Sequence, residues 1–398
     1  MILSGRPRSK TAVAVRSKIR HNFSWGSLST GQDKGMSSLN DLIIQCKDIF
    51  GLGDRSIVGI DIGLSAVKVA QVERLNDGNL KLVRWASVAL PEAAMIEEDI
   101  QKPDEITDAI KTCLENAGIK SELVAMSLSG PSTLARKLTL SKSEPEEFAE
   151  NVAWETEQYL PFDPDEAAIS FHEYGDNGAG GVDVFVAAAH KGIIENFRDL
   201  IEGPGKLRVK IVDLSVICVA NVFELVMDQS LNETSSYLVF DIGAQKTDCF
   251  IYKSGTVCFT KRIPIGGSTI TEEIQRQMGV NHLQAEDLKI TRDSNGNLPE
   301  EVLEVVENVL ETFYAEIKKT LDFYITATSD EDFAGCWLTG GASQTAGLVE
   351  GLENLLGISI HLFNPFDKIK VGSLSEEEQT QAAATGVTAI GLAMRVLK

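Results

Sequence analysis

The sequence predicts an α/β protein built from two similar lobes with a ligand site between them. Short apolar runs typical of strands alternate with helical stretches along most of the chain, which indicates an α/β architecture. One strand-and-turn segment occurs twice: residues 59–63 (GIDIG) are echoed by residues 239–243 (VFDIG), and both continue into a second strand. The repeat predicts one hairpin per lobe, and a molecule with two such lobes holds its ligand between them.

Composition narrows the classes of function. The chain has 398 residues, enough for about two or three domains, and a formal net charge of -21 at pH 7. A protein with so much negative charge repels nucleic acid and anionic membranes. We therefore expect neither as a direct partner. The six cysteines form no CxxC pair and do not cluster with the five histidines, which argues against a zinc site or a disulfide framework and favours a reducing compartment. No apolar run reaches the roughly 18 residues that a membrane span needs.

The N-terminal 55 residues differ from the rest. Residues 1–50 carry eight Lys or Arg and three Asp or Glu, so this segment is basic. We expect residues 1–55 to be a disordered extension followed by a short amphipathic helix at 38–50, with Met36 as an alternative start. Docking of that helix against the body and contact with a membrane surface are both open.

The remaining elements follow from apolar periodicity. Strands are predicted at 56–62, 80–90, 237–242 and 335–339, and helices at 104–117, 144–159, 191–202, 215–227, 298–328 and 376–398. Between 130 and 205 the order strand, helix, strand, strand, helix does not fit a simple duplication and predicts an inserted subdomain. The predicted divisions are lobe 1 at 56–130 and 206–232, the insertion at 131–205, lobe 2 at 233–375, and a C-terminal helix at 376–398 that returns to lobe 1.

The two repeated turns offer what a polyphosphate needs. Backbone N–H groups approach a phosphate closely where glycine removes the Cβ atom, and Gly63 and Gly243 do this once per lobe. Lys68 is placed to supply a local cation. A single turn of this kind is more often a plain hairpin turn, so the duplication is what favours a site. The other predicted turn residues are Leu64, Ser65, Ala244, Gln245 and Thr247, of which Ser65 and Thr247 add hydroxyl groups.

Two carboxylates stand at the ends of the repeated strands. Asp61 and Asp241 each precede the Ile-Gly of a turn. Mg²⁺ dehydrates reluctantly, so carboxylates in such positions hold it through its water shell. We therefore predict Asp61 and Asp241 as the metal-binding residues.

A third glycine motif follows a strand near the C-terminus. In residues 337–343 (WLTGGAS) a predicted strand opens through Gly340 and Gly341 towards a helix. Backbone without side chains passes close beside a flat ring, which suits adenine. Gly340, Gly341, Ala342 and Ser343 are the predicted adenosine contacts.

The order and spacing of these motifs resemble the phosphate-1, phosphate-2 and adenosine signature of the actin, Hsp70 and sugar-kinase superfamily, over residues 56–398. Within it the chain resembles the PilM family of type IV pilus assembly proteins and its relative FtsA. Residues 154–162 (WETEQYLPF) are similar to a PilM helix that ends at Leu-Pro-Phe, and residues 383–395 resemble the closing PilM helix. The resemblance implies an actin-like ATPase fold, two ribonuclease H-like lobes around a nucleotide cleft, with 131–205 as the 1C subdomain.

The resemblance also implies residues that the patterns alone do not identify. Gly266 and Gly267 would enter lobe 2 near the nucleotide, and Glu286 and Lys289 would bracket the adenosine. Asp213, at the junction after the insertion, would orient an attacking water, so slow hydrolysis is an expectation beside simple binding. The implied cofactors are ATP and Mg²⁺.

The family further implies a partner and a place in the cell. A PilM-like protein is cytoplasmic and peripheral to the inner membrane. There it receives the N-terminal cytoplasmic peptide of the membrane protein PilN between lobe 1, the 1A part at 56–130 and 206–232, and the 1C subdomain. Other pilus inner-membrane and motor components, and self-association, are further expectations. Three alternatives stay open: an FtsA-like cell-division protein, a sugar or acetate kinase of the same superfamily, and a structural relative without nucleotide.

Overall fold

The computed structural model describes residues 57–396, apart from residues 179, 228, 229, 233, 294 and 295. The predicted helix at 38–50 and nearly all of the predicted extension therefore lie outside the described residues. Within that range, no helix has both the length and the apolar character needed to cross a bilayer.

Strands make up three main sheets and one small pair. In chain order they are β1 (Val58–Ile62), β2 (Ala66–Arg74), β3 (Leu80–Ala89), β4 (Met95–Ile96), β5 (Asp99–Ile100), β6 (Leu123–Leu128), β7 (Thr133–Ser141), β8 (Ala167–Asp176), β9 (Gly181–His190), β10 (Arg208–Leu214), β11 (Ser236–Ile242), β12 (Thr247–Lys253), β13 (Thr256–Ile263), β14 (Phe333–Thr339), β15 (Ile360–Leu362) and β16 (Lys370–Val371).

Helices cover these sheets. In chain order they are α1 (Pro103–Ala117), α2 (Pro145–Glu157), α3 (Lys191–Glu202), α4 (Ser215–Met227), α5 (Gly267–Met278), α6 (His282–Ile290), α7 (Glu300–Thr328), α8 (Leu348–Leu356), α9 (Glu376–Thr385) and α10 (Val387–Ala393). Single 3₁₀ turns occur at Pro164–Glu166, Pro365–Asp367 and Met394–Val396.

The two large sheets repeat one arrangement. The first has the strand order β10-β6-β1-β2-β3-β16 and the second β13-β12-β11-β14-β15. In each, an antiparallel hairpin (β1–β2 or β11–β12) lies beside a parallel strand, β6 or β14. We call the first sheet with its helices lobe 1 and the second lobe 2. The predicted hairpin in each lobe is therefore confirmed.

Apolar burial explains why the hairpin strands sit at the centre of each lobe. Val58 and Ile60 of β1 are fully buried, and so are Leu238 and Phe240 of β11. Strands covered on both faces read as near-continuous apolar runs rather than as alternating ones. Such strands end where the chain becomes polar, and the two Asp-Ile-Gly turns stand at these ends.

A third, three-stranded sheet has the order β7-β9-β8 and is antiparallel throughout. Helix α2 packs Phe148 and Val152 against it. We call this sheet together with α2 the insert. The predicted order of elements holds, but α3 differs, because its apolar residues Ile194, Phe197 and Ile201 join the core of lobe 1.

Two further predictions about the C-terminal part need correction. The predicted helix at 376–398 is two helices, α9 and α10, separated at Gly386, where an added Cβ would lie 2.8 Å from the Trp85 ring. Strand β16 falls in the segment assigned to lobe 2, yet it pairs with β3 in the sheet of lobe 1. The break at Gly386 lets α10 pack directly on β1.

That packing is unusually close. A Cβ at Gly59 on β1 would lie 2.1 Å from the carbonyl oxygen of Ala389, and a Cβ at Gly391 would lie 2.3 Å from that of Cys218 on α4. Only glycine allows such an approach of two backbones. Helix α10 is thereby held between β1 and α4.

Candidate functional site

The two Asp-Ile-Gly turns are closed by the same backbone hydrogen bond. The Gly63 N–H donates to the Ala66 carbonyl at 3.0 Å, and the Gly243 N–H donates to the Lys246 carbonyl at 2.9 Å. Among the described residues, no hydrogen bond engages the main-chain N–H groups of the two residues that follow each glycine. Free N–H groups at a glycine turn are suited to bind an anion. The residues in question are Leu64, Ser65, Ala244 and Gln245.

The carboxyl groups at the two strand ends are close enough to affect each other. The pKa of Asp241 is raised to about 7, first because the carboxyl is buried and then because the carboxylates of Asp248 and Asp61 repel its charge. Lys68 and Lys246 act in the opposite direction. Asp61 belongs to lobe 1 and Asp241 to lobe 2, and Lys246 of the second turn contacts Ser129 at the end of β6 in lobe 1, so the second turn lies at the junction of the two lobes.

Lys68 reaches the first turn from the neighbouring strand. It pairs with Asp61 in the β1–β2 register, and its ammonium group lies 3.1 Å from the Asp61 carboxylate. Ser127 on β6 donates a further hydrogen bond to the same carboxylate at 3.3 Å. A Cβ placed on Gly63 would be 3.1 Å from the Lys68 ammonium, so this cation lies at the glycine of the turn.

A cross-lobe cluster that the sequence did not reveal lies beside the second turn. The Lys246 ammonium donates to the carbonyl oxygen of Ser129 at 2.5 Å and also contacts the Ser129 hydroxyl. Ser129 in turn donates to Asp248 at 2.9 Å, and Arg262 donates to the other oxygen of Asp248 at 2.9 Å. Burial acts to raise the pKa of Asp248, but these two cations outweigh it and the pKa is lowered.

Some of these residues had a signal in the sequence. Lys246 lies inside the predicted turn, between Gln245 and Thr247, and Ser129 follows the strand parallel to β1. The carboxyl ends of parallel strands meet at one edge of a sheet, which predicts that polar residues there share a site. Arg262 is found only from the β12–β13 register, where it faces Asp248.

The two remaining glycine motifs meet at the second turn. The Gly267 N–H donates to the Gly243 carbonyl at 3.0 Å, and the Ala342 N–H donates to the Ile242 carbonyl at 3.0 Å. Gly340 has φ +90°, and a Cβ there would lie 2.6 Å from the Asp241 carboxylate. The structure thus brings the second Asp-Ile-Gly turn together with the 266–267 and 340–343 segments.

The 340–343 segment is a tight turn with little exposed side chain. Ser343 is buried and its N–H donates to the Gly340 carbonyl at 3.1 Å, so it closes the turn that Gly341 and Ala342 span. A small apolar cavity lies between the two glycine motifs, and its lining includes Gly266, Gly267 and Ala342. The cavity also borders Val309, Leu310 and Phe313, which belong to the core of lobe 2, so it is a small gap in the packing beneath the two glycine motifs.

Glu286 and Lys289 lie under the same glycine pair. The Lys289 ammonium is 2.6 Å from Glu286 and 2.7 Å from the Thr271 hydroxyl, and it donates to the Gly267 carbonyl at 3.4 Å. Thr271 also hydrogen-bonds to Glu286. The pair is therefore fixed beside the start of α5, next to the predicted base position.

Thr247 was expected to offer its hydroxyl to a phosphate, but the structure gives that group another partner. The side chain is fully buried, and its hydroxyl donates to the Ile265 carbonyl at 2.8 Å. This bond anchors the chain just before Gly266. Thr247 therefore has a structural role, because its hydroxyl holds the segment that leads into Gly266 and is not available to a phosphate.

Asp213 does not lie in the cleft as an available base. Its carboxylate is fully buried and forms an ion pair with Arg395 at 2.7 Å, in the turn that follows α10. Burial raises the pKa of Asp213, and the guanidinium of Arg395 opposes the shift. A carboxylate that is ion-paired with a buried arginine is not free to orient a water molecule. The prediction that Asp213 orients an attacking water is therefore not supported by this structure.

The residues around Asp241 fit a hydrated cation better than a directly bound one. Within residues 57–396, excluding the six omitted positions, no three His, Cys, Asp or Glu side chains are grouped so that they could hold a metal ion. Thr339 pairs with Asp241 in the β11–β14 register, and its buried hydroxyl has no hydrogen-bond partner among these residues. An unpaired hydroxyl beside a carboxyl suits a bound water, as the shell of Mg²⁺ would supply.

Comparison with known families gives a match over most of the chain. A family model described as "Type IV pilus assembly protein PilM" matches residues 59–397. The cell division protein FtsA of Escherichia coli (strain K12) is 22% identical over 381 residues, which cover 83% of this chain and 88% of FtsA. FtsA of Enterococcus hirae is 23% identical over 356 residues, which cover 77% and 78%.

Comparison with solved structures confirms the predicted actin-like ATPase fold. The structure titled "PilM-PilN type IV pilus biogenesis complex" superposes with a TM-score of 0.76 and 25% identity, covering 87% of this chain and 100% of that one. The ethanolamine utilization protein EutJ from Carboxydothermus hydrogenoformans gives a TM-score of 0.52 at 14% identity, with 86% and 90% covered. The second likeness concerns the fold alone.

Proposed function

This chain belongs to the PilM family of type IV pilus assembly proteins, and we propose that it binds Mg·ATP between its two lobes. The observation that carries this proposal is the pair of matching glycine turns, one per lobe, whose strand-end carboxyl groups Asp61 and Asp241 lie close enough to interact. A ligand that contacts both turns would favour one angle between the lobes, since it binds that arrangement more tightly.

Each part of the nucleotide has residues suited to hold it. The N–H groups of Ala244 and Gln245, with those of the first turn, would bind phosphate oxygens, and Lys68 would add a cation. Mg²⁺ would neutralise the remaining phosphate charge, with Asp61 and Asp241 bound to its water shell. The base would lie between the 266–267 and 340–343 segments, beside Glu286 and Lys289.

Nucleotide binding, rather than rapid turnover, is the activity we propose. The residue expected to orient water, Asp213, is committed to Arg395. Rapid phosphoryl transfer to water requires a positioned group of that kind. We therefore propose that hydrolysis is at most slow and that the bound state itself has the biological role.

Calorimetric titration tests the nucleotide proposal. The chain is expected to bind ATP with Mg²⁺ present at least about tenfold more tightly than in excess chelator, because the metal neutralises phosphate charge in an acidic protein. AMP, which lacks the β- and γ-phosphates, serves as the matched control and is expected to bind weakly. Equal, weak heats for ATP and AMP in both conditions would refute the site.

We also propose that the chain docks the N-terminal cytoplasmic peptide of PilN and is thereby held at the cytoplasmic face of the inner membrane. The PilM–PilN complex structure, matched over its full length, supports this partner. Contacts with other pilus components and self-association stay predictions. We attribute the similarity to FtsA, which is 22–23% identical, to the shared fold.

Fluorescence anisotropy with a labelled PilN peptide tests the partner. We expect saturable binding at micromolar chain concentrations, since a short ordered peptide buries an interface of modest size. A peptide of the same composition in scrambled order is the control. If both peptides bind alike, or neither binds at high micromolar concentration, the docking proposal fails while the nucleotide proposal stands.

A further inference from the structure

Lys246 ties the two lobes together at the mouth of the cleft. Its ammonium group belongs to the second turn of lobe 2, and it donates to both oxygens of Ser129, which follows β6 of lobe 1. The Lys246 side chain is 19% exposed, so the contact is largely shielded from water. Such a contact resists separation of the lobes on that side.

The partners of Lys246 are weaker than a phosphate would be. Ser129 offers a carbonyl and a hydroxyl, which are neutral acceptors, and the carboxylate of Asp248 lies farther away at 3.7 Å. An ammonium group is attracted more strongly to an ionised phosphate oxygen than to a neutral carbonyl or hydroxyl oxygen, because two full charges then interact. A phosphate at the neighbouring Ala244 and Gln245 N–H groups would therefore compete with Ser129 for this cation.

If Lys246 moved away, the Asp248 carboxylate would still have charged and polar partners. Asp248 keeps Arg262 at 2.9 Å and the Ser129 hydroxyl at 2.9 Å. An unpaired buried carboxylate is what makes the loss of an ion pair costly, and here that cost is avoided. The lysine is thus held by contacts that it can give up.

We propose that Lys246 is a phosphate-responsive latch, which holds Ser129 while the cleft is empty and transfers its ammonium group to the terminal phosphates of a bound nucleotide. The inference rests on the nucleotide site proposed above and states which contact changes when that site is occupied. Ser129 precedes β7 by four residues, and β7 is the first strand of the insert. Loss of the two Lys246 contacts would therefore leave Ser129 bonded to lobe 2 only through Asp248, which loosens the connection between lobe 1 and the insert.

A second contact makes the insert sensitive to lobe movement. The Thr260 hydroxyl on β13 of lobe 2 donates to the Ala135 carbonyl on β7 at 2.5 Å. The start of β7 is thus attached to lobe 2 at two points, through Ser129 and through Ala135. Without Lys246, the first attachment depends on the Ser129–Asp248 hydrogen bond alone. The start of β7 is then held less firmly to lobe 2, so the insert can change its angle to lobe 1 more readily.

Hydrogen exchange of the full chain, with and without Mg·ATP, tests the latch. In the wild type we expect Mg·ATP to raise the exchange rate of amides in residues 129–135 several-fold. In Lys246→Met we expect this segment to exchange fast already without nucleotide, with no further change on its addition. The same variant is expected to bind ATP about tenfold more weakly, since one charge-assisted contact is lost.

Lys253→Met is the matched control, because Lys253 ends β12, the strand that begins directly after Lys246, and pairs with Asp330 away from the turn. It is expected to behave as the wild type in exchange and affinity. If the wild type binds Mg·ATP but residues 129–135 exchange alike in both states, or Lys246→Met matches the wild type, the latch is refuted and the nucleotide site remains. If the wild type binds no nucleotide, both proposals fall.

Discussion

Asp241→Ala is expected to lower the affinity of the chain for Mg·ATP by about 100-fold, as for other groups that hold a metal's outer shell. Asp241 ends β11, its carboxyl is buried beside Gly340, and the unpaired hydroxyl of Thr339 lies on the adjacent strand. Removal of the carboxyl leaves the hydrated metal without its lobe 2 anchor. Calorimetric titration with Mg·ATP measures the change, and Asp322→Ala, an exposed carboxylate on α7 of the same lobe, is the control.

The raised pKa of Asp241 gives this prediction a second readout. At a pKa of about 7 a proton competes with the metal for the carboxylate, so the affinity of the wild type should rise as the pH increases from 6 to 7 and level off above about 8. In Asp241→Ala this rise should be absent. A variant that retains both the affinity and its pH dependence would remove Asp241 from the site.

Arg395→Met is expected to lower the free energy of unfolding by about 3–5 kcal/mol. The Arg395 guanidinium is 7% exposed and lies 2.7 Å from the Asp213 carboxylate, which has no exposure at all. Without the guanidinium, that carboxylate must either stay charged in an apolar environment or take up a proton. Urea denaturation followed by circular dichroism at neutral pH measures the loss.

The compensating change separates charge from packing. Asp213→Leu combined with Arg395→Met replaces the pair by apolar groups, and its stability should approach that of the wild type, because a buried ion pair adds little net free energy over a well-packed apolar pair. Arg276→Met, which breaks an exposed pair with Glu273, should have little effect. Equal losses in Arg395→Met and the double variant would show that the guanidinium acts by packing alone.

The sequence was enough to predict the repeated hairpins because their signals are local. Residues 58–63 and 236–243 are largely apolar runs that end in Asp-Ile-Gly, and each turn closes within four residues. Local patterns of this kind are not overridden by distant contacts when both faces of the strand are buried. The same locality explains why the glycine motifs were found before any pairing was known.

What the sequence could not predict depends on pairs far apart in the chain. Asp213 looked like a polar residue at a strand end, and its real partner, Arg395, lies in the last turn of the described chain. The bond between Lys246 and Ser129 likewise joins two lobes. Thr247 shared the pattern of a phosphate-binding hydroxyl, but its burial is set by the segment before Gly266. Local patterns in a single sequence do not show which distant residues will be in contact in the folded protein.

The position of α10 has a consequence for how the molecule is made. This helix covers β1 and reaches α4. No larger residue fits at Gly59 or Gly391, where the backbones are in close contact. Yet α10 is synthesised more than 300 residues after β1. On the ribosome, lobe 2 therefore has all its strands and helices available before lobe 1 receives its final apolar cover, so the half that is translated first is the half that finishes folding last.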